Sequence, residues 1–228
     1  MEDNSWESMW AAGVPRGAKF DGNGASPALA AFLDTRPTPP AGATALVPGC
    51  GRAYDAVALA AKGYAVRAWD ISRTAVGEAR RLVAEAAPEV AARVTAEHRD
   101  FFDAAQDQGG QTFDLIWDCT FLCALPPGLR AAWAARHAAL LSKDGGELLS
   151  LVFPVFPATH PKVTGGGGPP FALTCDLVKS LLEPEGVFVR EQVDPLPAGA
   201  RHKVGGFGAS GGPGSALLVF IASGADKK

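Results

Sequence analysis

From Thr44 onward the sequence alternates short apolar runs with stretches of helical periodicity. Residues 44–48 (TALVP), 64–70 (YAVRAWD), 94–99, 113–118 (FDLIWD) and 147–155 read as strands. Residues 52–62, 73–87 and 128–141 read as helices, with apolar side chains recurring at roughly helical spacing. Gly63 is placed to end the first helix and Ser72 to cap the second. A short helix over 174–183 precedes two last strands, 187–193 and 216–222, which have no helix between them. Such alternation predicts an α/β fold with a mostly parallel sheet covered on both faces. The last two strands suit an antiparallel hairpin bridged by the glycine-rich residues 199–214. That makes seven strands.

Composition narrows the class further. Of 228 residues, 47% are apolar and 20% charged, which excludes a disordered chain and leaves enough apolar surface for a core. The net charge of −3 gives no reason to expect a nucleic-acid or anionic-membrane partner. Residues 148–161 are uncharged but interrupted by Pro154, Pro157 and Pro161; residues 204–225 are uncharged but glycine-rich in their first half. Neither reads as a membrane span, which needs about 20 apolar residues. The acidic start Met1-Glu2-Asp3-Asn4 does not resemble a secretory leader. Cys50, Cys119, Cys123 and Cys175 form no C-x-x-C pair, and the four histidines show no metal-ligand spacing. The expectation is a cytoplasmic enzyme without a metal.

The segment before Thr44 differs. Trp6 and Trp10 lie four apart and share a face if residues 5–12 are helical. Ser26-Pro27 opens a helix over 27–33, and the proline-rich residues 35–43 lead into the sheet. Residues 1–43 therefore read as an N-terminal segment and residues 44–228 as the body of a single domain. The two indoles can act as a plain anchor or can cover a ligand.

Chemistry concentrates after the first strand. Val47-Pro48-Gly49-Cys50-Gly51 leads from a strand into a helix, where glycine permits a sharp turn and close approach of a ligand to the main chain. Asp70 ends the second strand, 21 residues after Gly49, where a carboxylate can accept hydrogen bonds from both hydroxyls of a ribose. A dinucleotide site wants a third glycine at the position of Tyr54; that ring, and Arg52 beside it, argue against a pyrophosphate. S-adenosylmethionine carries a ribose without a pyrophosphate. Asp100-Phe101-Phe102, after the third strand, stands where an adenine would be held, although the two phenylalanines can equally be core.

At this point the chain resembles a family. VPGCGRAYD, RAWDIS, RDFFD and FDLIWDCTFLCALPPGLRAAWAARHAALLSKDGGELLSLVFP are similar to the thiopurine methyltransferase superfamily, and closer to its thiol and halide (thiocyanate) methyltransferase branch. The W-x-x-x-W of Trp6 and Trp10 and the later GGPPF match that branch too. The resemblance implies a Rossmann-like seven-stranded S-adenosylmethionine-dependent methyltransferase fold with an antiparallel last strand. It implies that Gly49 and Gly51 line the methionine part of the cofactor, and that Asp70, with Ile71 beside it, holds the ribose. Asp100 and Phe101 would take the adenine, and the backbone at Asp118 and Cys119 would lie near the sulfonium. Trp6 and Trp10 would close over the cofactor, a cation–indole contact being worth about 0.5–2 kcal/mol. Three positions depart from the branch: Phe20-Asp21 replaces Trp-Asp, Phe171 replaces a tyrosine, and Cys119 replaces another.

Transfer to a thiolate, bisulfide, thiocyanate or halide needs no dedicated general base, so no catalytic residue is assigned. An apolar pocket of Phe20, Phe121 and Phe171 would desolvate the anion, and Thr120 would donate one hydrogen bond to it. Residues 164–170 read as a flexible glycine-rich flap, and Arg201-His202-Lys203 as a solvated loop tip. Cys119 and Cys123 read as packing residues. The expected acceptor is a small anion or thiol, and the expected form a monomer. Two other readings stay open: a nicotinamide-dependent Rossmann oxidoreductase, and a non-catalytic relative that keeps the cofactor site.

Overall fold

The strand residues pair as their apolar runs require. In a computed structural model, which describes residues 4–107, 109–156, 159–161, 167–202 and 214–223, two compact units divide the chain at residues 109 and 110.

The first unit contains helices α1 (Asn4–Ala11), α2 (Pro27–Asp34), α3 (Tyr54–Lys62), α4 (Arg73–Glu85) and the single turn α5 (Pro88–Ala91). Its strands are β1 (Thr44–Pro48), β2 (Ala65–Asp70) and β3 (Val94–His98). All pair parallel: Pro48 of β1 faces Trp69 of β2, and Asp70 faces His98 of β3. The loop after β1 and the carboxylate ending β2 therefore leave the strands at one level. Strand β1 is buried from Ala45 to Pro48, as a strand covered on both faces must be. Helix α4 begins where expected because the Ser72 hydroxyl accepts from the Ala75 N–H at 3.0 Å.

The second unit contains β4 (Leu115–Cys119), α6 (Arg130–Leu140), β5 (Glu147–Val155), α7 (Cys175–Leu182), β6 (Val187–Val193) and β7 (Gly214–Ala222). Strands β4 and β5 run parallel, with Cys119 opposite Leu151. Strand β7 is antiparallel to both β5 and β6 and lies between them. The seven strands and the antiparallel last strand agree with the fold class expected from the sequence. Buried Trp117 and Trp133 anchor the core here, as Trp69 does in the first unit.

Boundary differences have local causes. Helix α3 starts at Tyr54 rather than residue 52 because Ala53 adopts a left-handed conformation, φ +65°. Helix α4 stops at Glu85 because Pro88 follows, and a proline restricts the residue before it. The helix expected over 128–141 begins with a tight turn at Pro127–Leu129 and runs as α6 from Arg130. Phe113 contributes only an isolated bridge to Leu141, so β4 starts at Leu115. Residues 164–166 of the expected flap, and 203–213 of the expected hairpin loop, lie outside the described residues. Among the described residues no helix is long and apolar enough to cross a membrane.

Candidate active site

In the first unit the loop after β1 makes three left-handed turns, at Gly49 (φ +57°), Gly51 (φ +50°) and Ala53 (φ +65°). Gly51 is needed for a second reason: a Cβ there would stand 3.3 Å from the Trp10 ring. The loop is tied to β2 by the Cys50 N–H, which donates to the Trp69 carbonyl at 2.9 Å. Gly51 N–H donates to Asp70 Oδ2 at 2.9 Å, and Ser72 N–H donates to Asp70 Oδ1 at 2.9 Å. Burial pushes the Asp70 carboxyl above its ordinary range, while these two N–H groups pull it back. Each carboxylate oxygen keeps a lone pair beyond these bonds, so the pair can accept from the two hydroxyls of a diol. Ile71 is half-buried, and its carbonyl is 3.0 Å from His98 Nε2.

Asp100 forms a turn of its own, its Oδ1 accepting from Phe102 N–H at 2.9 Å. Phe101 is buried at 4% exposure, whereas Phe102 is half-buried and meets it edge to face at 5.3 Å between centroids. The more accessible ring at this corner is thus Phe102, whereas the family resemblance points to Phe101.

The tryptophans divide in role. Trp10 is buried in a cluster with Val14 and Ala75, against which Phe20 packs. Trp6 is half-buried and stands edge to face against Phe20 at 5.6 Å; Trp10 does the same at 5.5 Å. Trp10 is the more buried of the two, and Trp6 keeps the more accessible indole. Glu7, between them, was not foreseen. Its carboxylate accepts from Ser72 Oγ at 2.6 Å, Thr74 Oγ1 at 2.6 Å and Thr74 N–H at 3.1 Å, which caps α4 from outside. The Ser72 and Thr74 hydrogen bonds hold its carboxyl down to about 2. Arg52 corrects an expectation: its side chain does not crowd the glycine loop but turns away into a buried ion-pair cluster with Asp21 and Glu78.

In the second unit β4 ends in a turn whose geometry Asp118 sets. Its Oδ2 accepts from Trp133 Nε1 at 2.6 Å and its Oδ1 from Leu122 N–H at 3.3 Å. Burial raises the Asp118 carboxyl to about 6 and lowers neighbouring His137 to about 4, so the histidine, with Nε2 3.7 Å from Asp118 Oδ2, is uncharged at neutral pH. Thr120 carries the unusual φ of +58°, costly for a β-branched residue. Its hydroxyl donates to the Cys119 carbonyl at 2.7 Å, so donation to a bound anion requires this bond to be given up. Cys119 and Phe121 are half-buried. Phe171 is held by its N–H, which donates to the Cys123 carbonyl at 2.7 Å. Gly168 is seated against it: a Cβ at Gly168 would come within 2.5 Å of the Phe171 ring. Burial pushes the Cys123 thiol far above its ordinary range, consistent with a packing role.

His202 is not part of a solvated tip. Its ring packs edge to face on Phe153 at 4.6 Å, its main-chain N–H donates to Ser215 Oγ at 3.2 Å, and burial lowers the imidazole to about 4. Lys203 lies outside the described residues. Among the described residues no cluster of metal-ligating side chains occurs.

Comparison with known proteins places this arrangement. The model of the family described as Thiopurine S-methyltransferase (TPMT) matches residues 1–209. A protein of Arabidopsis thaliana named probable thiol methyltransferase 2 is 36% identical over 189 residues, which is 82% of this chain and 76% of that one. Thiocyanate methyltransferase 1 of the same plant is 32% identical, over 86% of this chain and 80% of its own. Among solved structures, the glycopeptide N-methyltransferase MtfA complexed with S-adenosylmethionine superposes with a TM-score of 0.65 at 18% identity, covering 92% of this chain and 98% of its own. At that identity the likeness is one of fold.

Proposed function

The chain belongs to the thiopurine S-methyltransferase family and is an S-adenosylmethionine-dependent methyltransferase; on that premise we propose that its acceptor is a small soft nucleophile, such as a thiol, bisulfide, thiocyanate or a halide. The observation that carries this reading is the identity of 36% and 32% to a thiol and a thiocyanate methyltransferase over more than four-fifths of the chain. The geometry supports it. Gly49 and Gly51 give a loop that a ligand can approach, and Asp70 offers unused lone pairs at the end of β2.

We assign the cofactor to Trp6, Trp10, Phe20, Gly49, Gly51, Asp70, Ile71, Asp100 and Phe101 of the first unit. Residues 1–43 serve as the cover and residues 44–228 as the body. When bound, S-adenosylmethionine supplies a methyl group on a positively charged sulfur, which an anionic nucleophile takes in line, leaving neutral S-adenosylhomocysteine. Asp70 would hold the sugar in one orientation, and the indole of Trp6 would be available to the cation. Thr120, Phe121 and Phe171 hold the acceptor. Their apolar rings strip water from the anion, which raises its nucleophilicity. A free thiol ionises near a pKa of about 8.5, so part of it is already thiolate at neutral pH and no side chain need remove the proton. The protein works as a cytoplasmic monomer on a free small molecule, and the net charge of −3 gives a nucleic acid no purchase.

The test is incubation with methyl-labelled S-adenosylmethionine and a panel of thiols, bisulfide, thiocyanate and iodide. Labelled methyl products from at least one soft acceptor are expected. Transfer only to oxygen or nitrogen acceptors, or to none, would contradict the reading.

A further inference from the structure

Arg52 follows Gly51 directly, yet its guanidinium serves the N-terminal segment. Nε donates to Asp21 Oδ2 at 2.8 Å, Nη2 donates to the Val14 carbonyl at 2.6 Å, and Nη1 bonds Glu78 Oε2 on α4. The Arg52 side chain is 4% exposed, that of Asp21 1%, and that of Glu78 26%. The guanidinium carbon also lies 5.5 Å from the centroid of the Trp10 ring. The remaining carboxylate oxygen of Asp21 accepts from Gly17 N–H at 3.0 Å and Asn23 N–H at 2.8 Å, which fixes the bend around Phe20. One cation therefore joins the bend at 14–23, the start of α3 and the middle of α4. A guanidinium can do this because its donors point in fixed, separate directions. Burial disfavours the Arg52 charge, but Asp21 and Glu78 more than compensate.

We propose that Arg52 is a positioning residue for the methyl donor, locking the segment that bears Trp6, Trp10 and Phe20 onto the residue beside Gly51, so that cofactor exchange requires this clasp to open. The proposal rests on the cofactor reading above. The closeness of Trp10 to Gly51 supports the mechanical link: a Cβ at Gly51 would stand only 3.3 Å from the Trp10 ring. A lysine cannot reproduce the arrangement, since its single nitrogen cannot reach three acceptors set apart around a planar fork.

The experiment is stopped-flow release of S-adenosylhomocysteine from the wild type, Arg52→Lys and Glu78→Gln, followed by tryptophan fluorescence and accompanied by KM and kcat for S-adenosylmethionine. Arg52→Lys is expected to speed release about tenfold or more. Glu78→Gln leaves the buried Arg52–Asp21 pair intact and is expected to speed release about two- to fivefold. In both, KM rises more than kcat falls. If Arg52→Lys does not fold, Glu78→Gln decides. Release at the wild-type rate from the folded variants, even with a lowered melting temperature, would overturn the clasp. A wild type that does not bind S-adenosylhomocysteine would instead overturn the cofactor reading itself.

Discussion

Asp70 carries the heaviest single load in the proposed site. It holds the glycine loop through Gly51 and the start of α4 through Ser72, with lone pairs to spare. Asp70→Ala is expected to weaken S-adenosylhomocysteine binding by about 1.5–3 kcal/mol, a factor of roughly 10–150, as for hydrogen bonds to a charged group. Calorimetric titration measures it, and unchanged affinity would contradict the ribose assignment. Glu7 allows a test by pH. Its folded pKa of about 2 lies below the ordinary value of 4.5, so its contribution is whole above pH 4.5 and is lost as pH falls toward 2. An NMR titration should place the Glu7 carboxyl near 2; a midpoint near 4.5 would mean that α1 does not cap α4 in solution. Gly49, Gly51 and Asp70 were legible because the glycines and acid fall at fixed points after β1 and at the end of β2. Glu7 and Arg52 were not, because their partners lie 65 and 31 residues away and only the fold brings them near.

At the scale of elements, apolar periodicity and turn chemistry located β1, β5 and β6 with the expected limits. They misplaced the start of α3, where Arg52 and Ala53 belong to the loop, and the start of β4, where Phe113 stands outside the ladder. The construction of the turn after β4 was not legible. Nothing local indicates that Asp118 turns inward to Trp133 while Thr120 adopts a left-handed conformation. Trp133→Phe removes the indole N–H from a buried carboxylate and is expected to cost about 1–3 kcal/mol of stability, read by chemical denaturation. A change below about 0.5 kcal/mol, the scatter of neutral surface substitutions, would show that the Asp118 bond does not support the turn.

For the molecule as a whole, seven apolar runs with an unhelical final pair sufficed to foresee the strand count and the antiparallel β7. The acceptor side was less legible. Thr120, Phe121 and Phe171 fall inside the family-like stretches, but no spacing rule shows how they sit, such as Gly168 against the Phe171 ring. His202 shows the same gap, since a charged tripeptide reads as surface until Phe153 is seen beneath the ring. The central claim is that the glycine loop and Asp70 hold an adenosyl sulfonium compound rather than a dinucleotide. Parallel calorimetric titrations of the wild type with S-adenosylhomocysteine and with NADH test it most directly. Saturable binding of S-adenosylhomocysteine near one site per chain, with no heat from NADH, is the predicted result; saturable NADH binding without S-adenosylhomocysteine binding would contradict it.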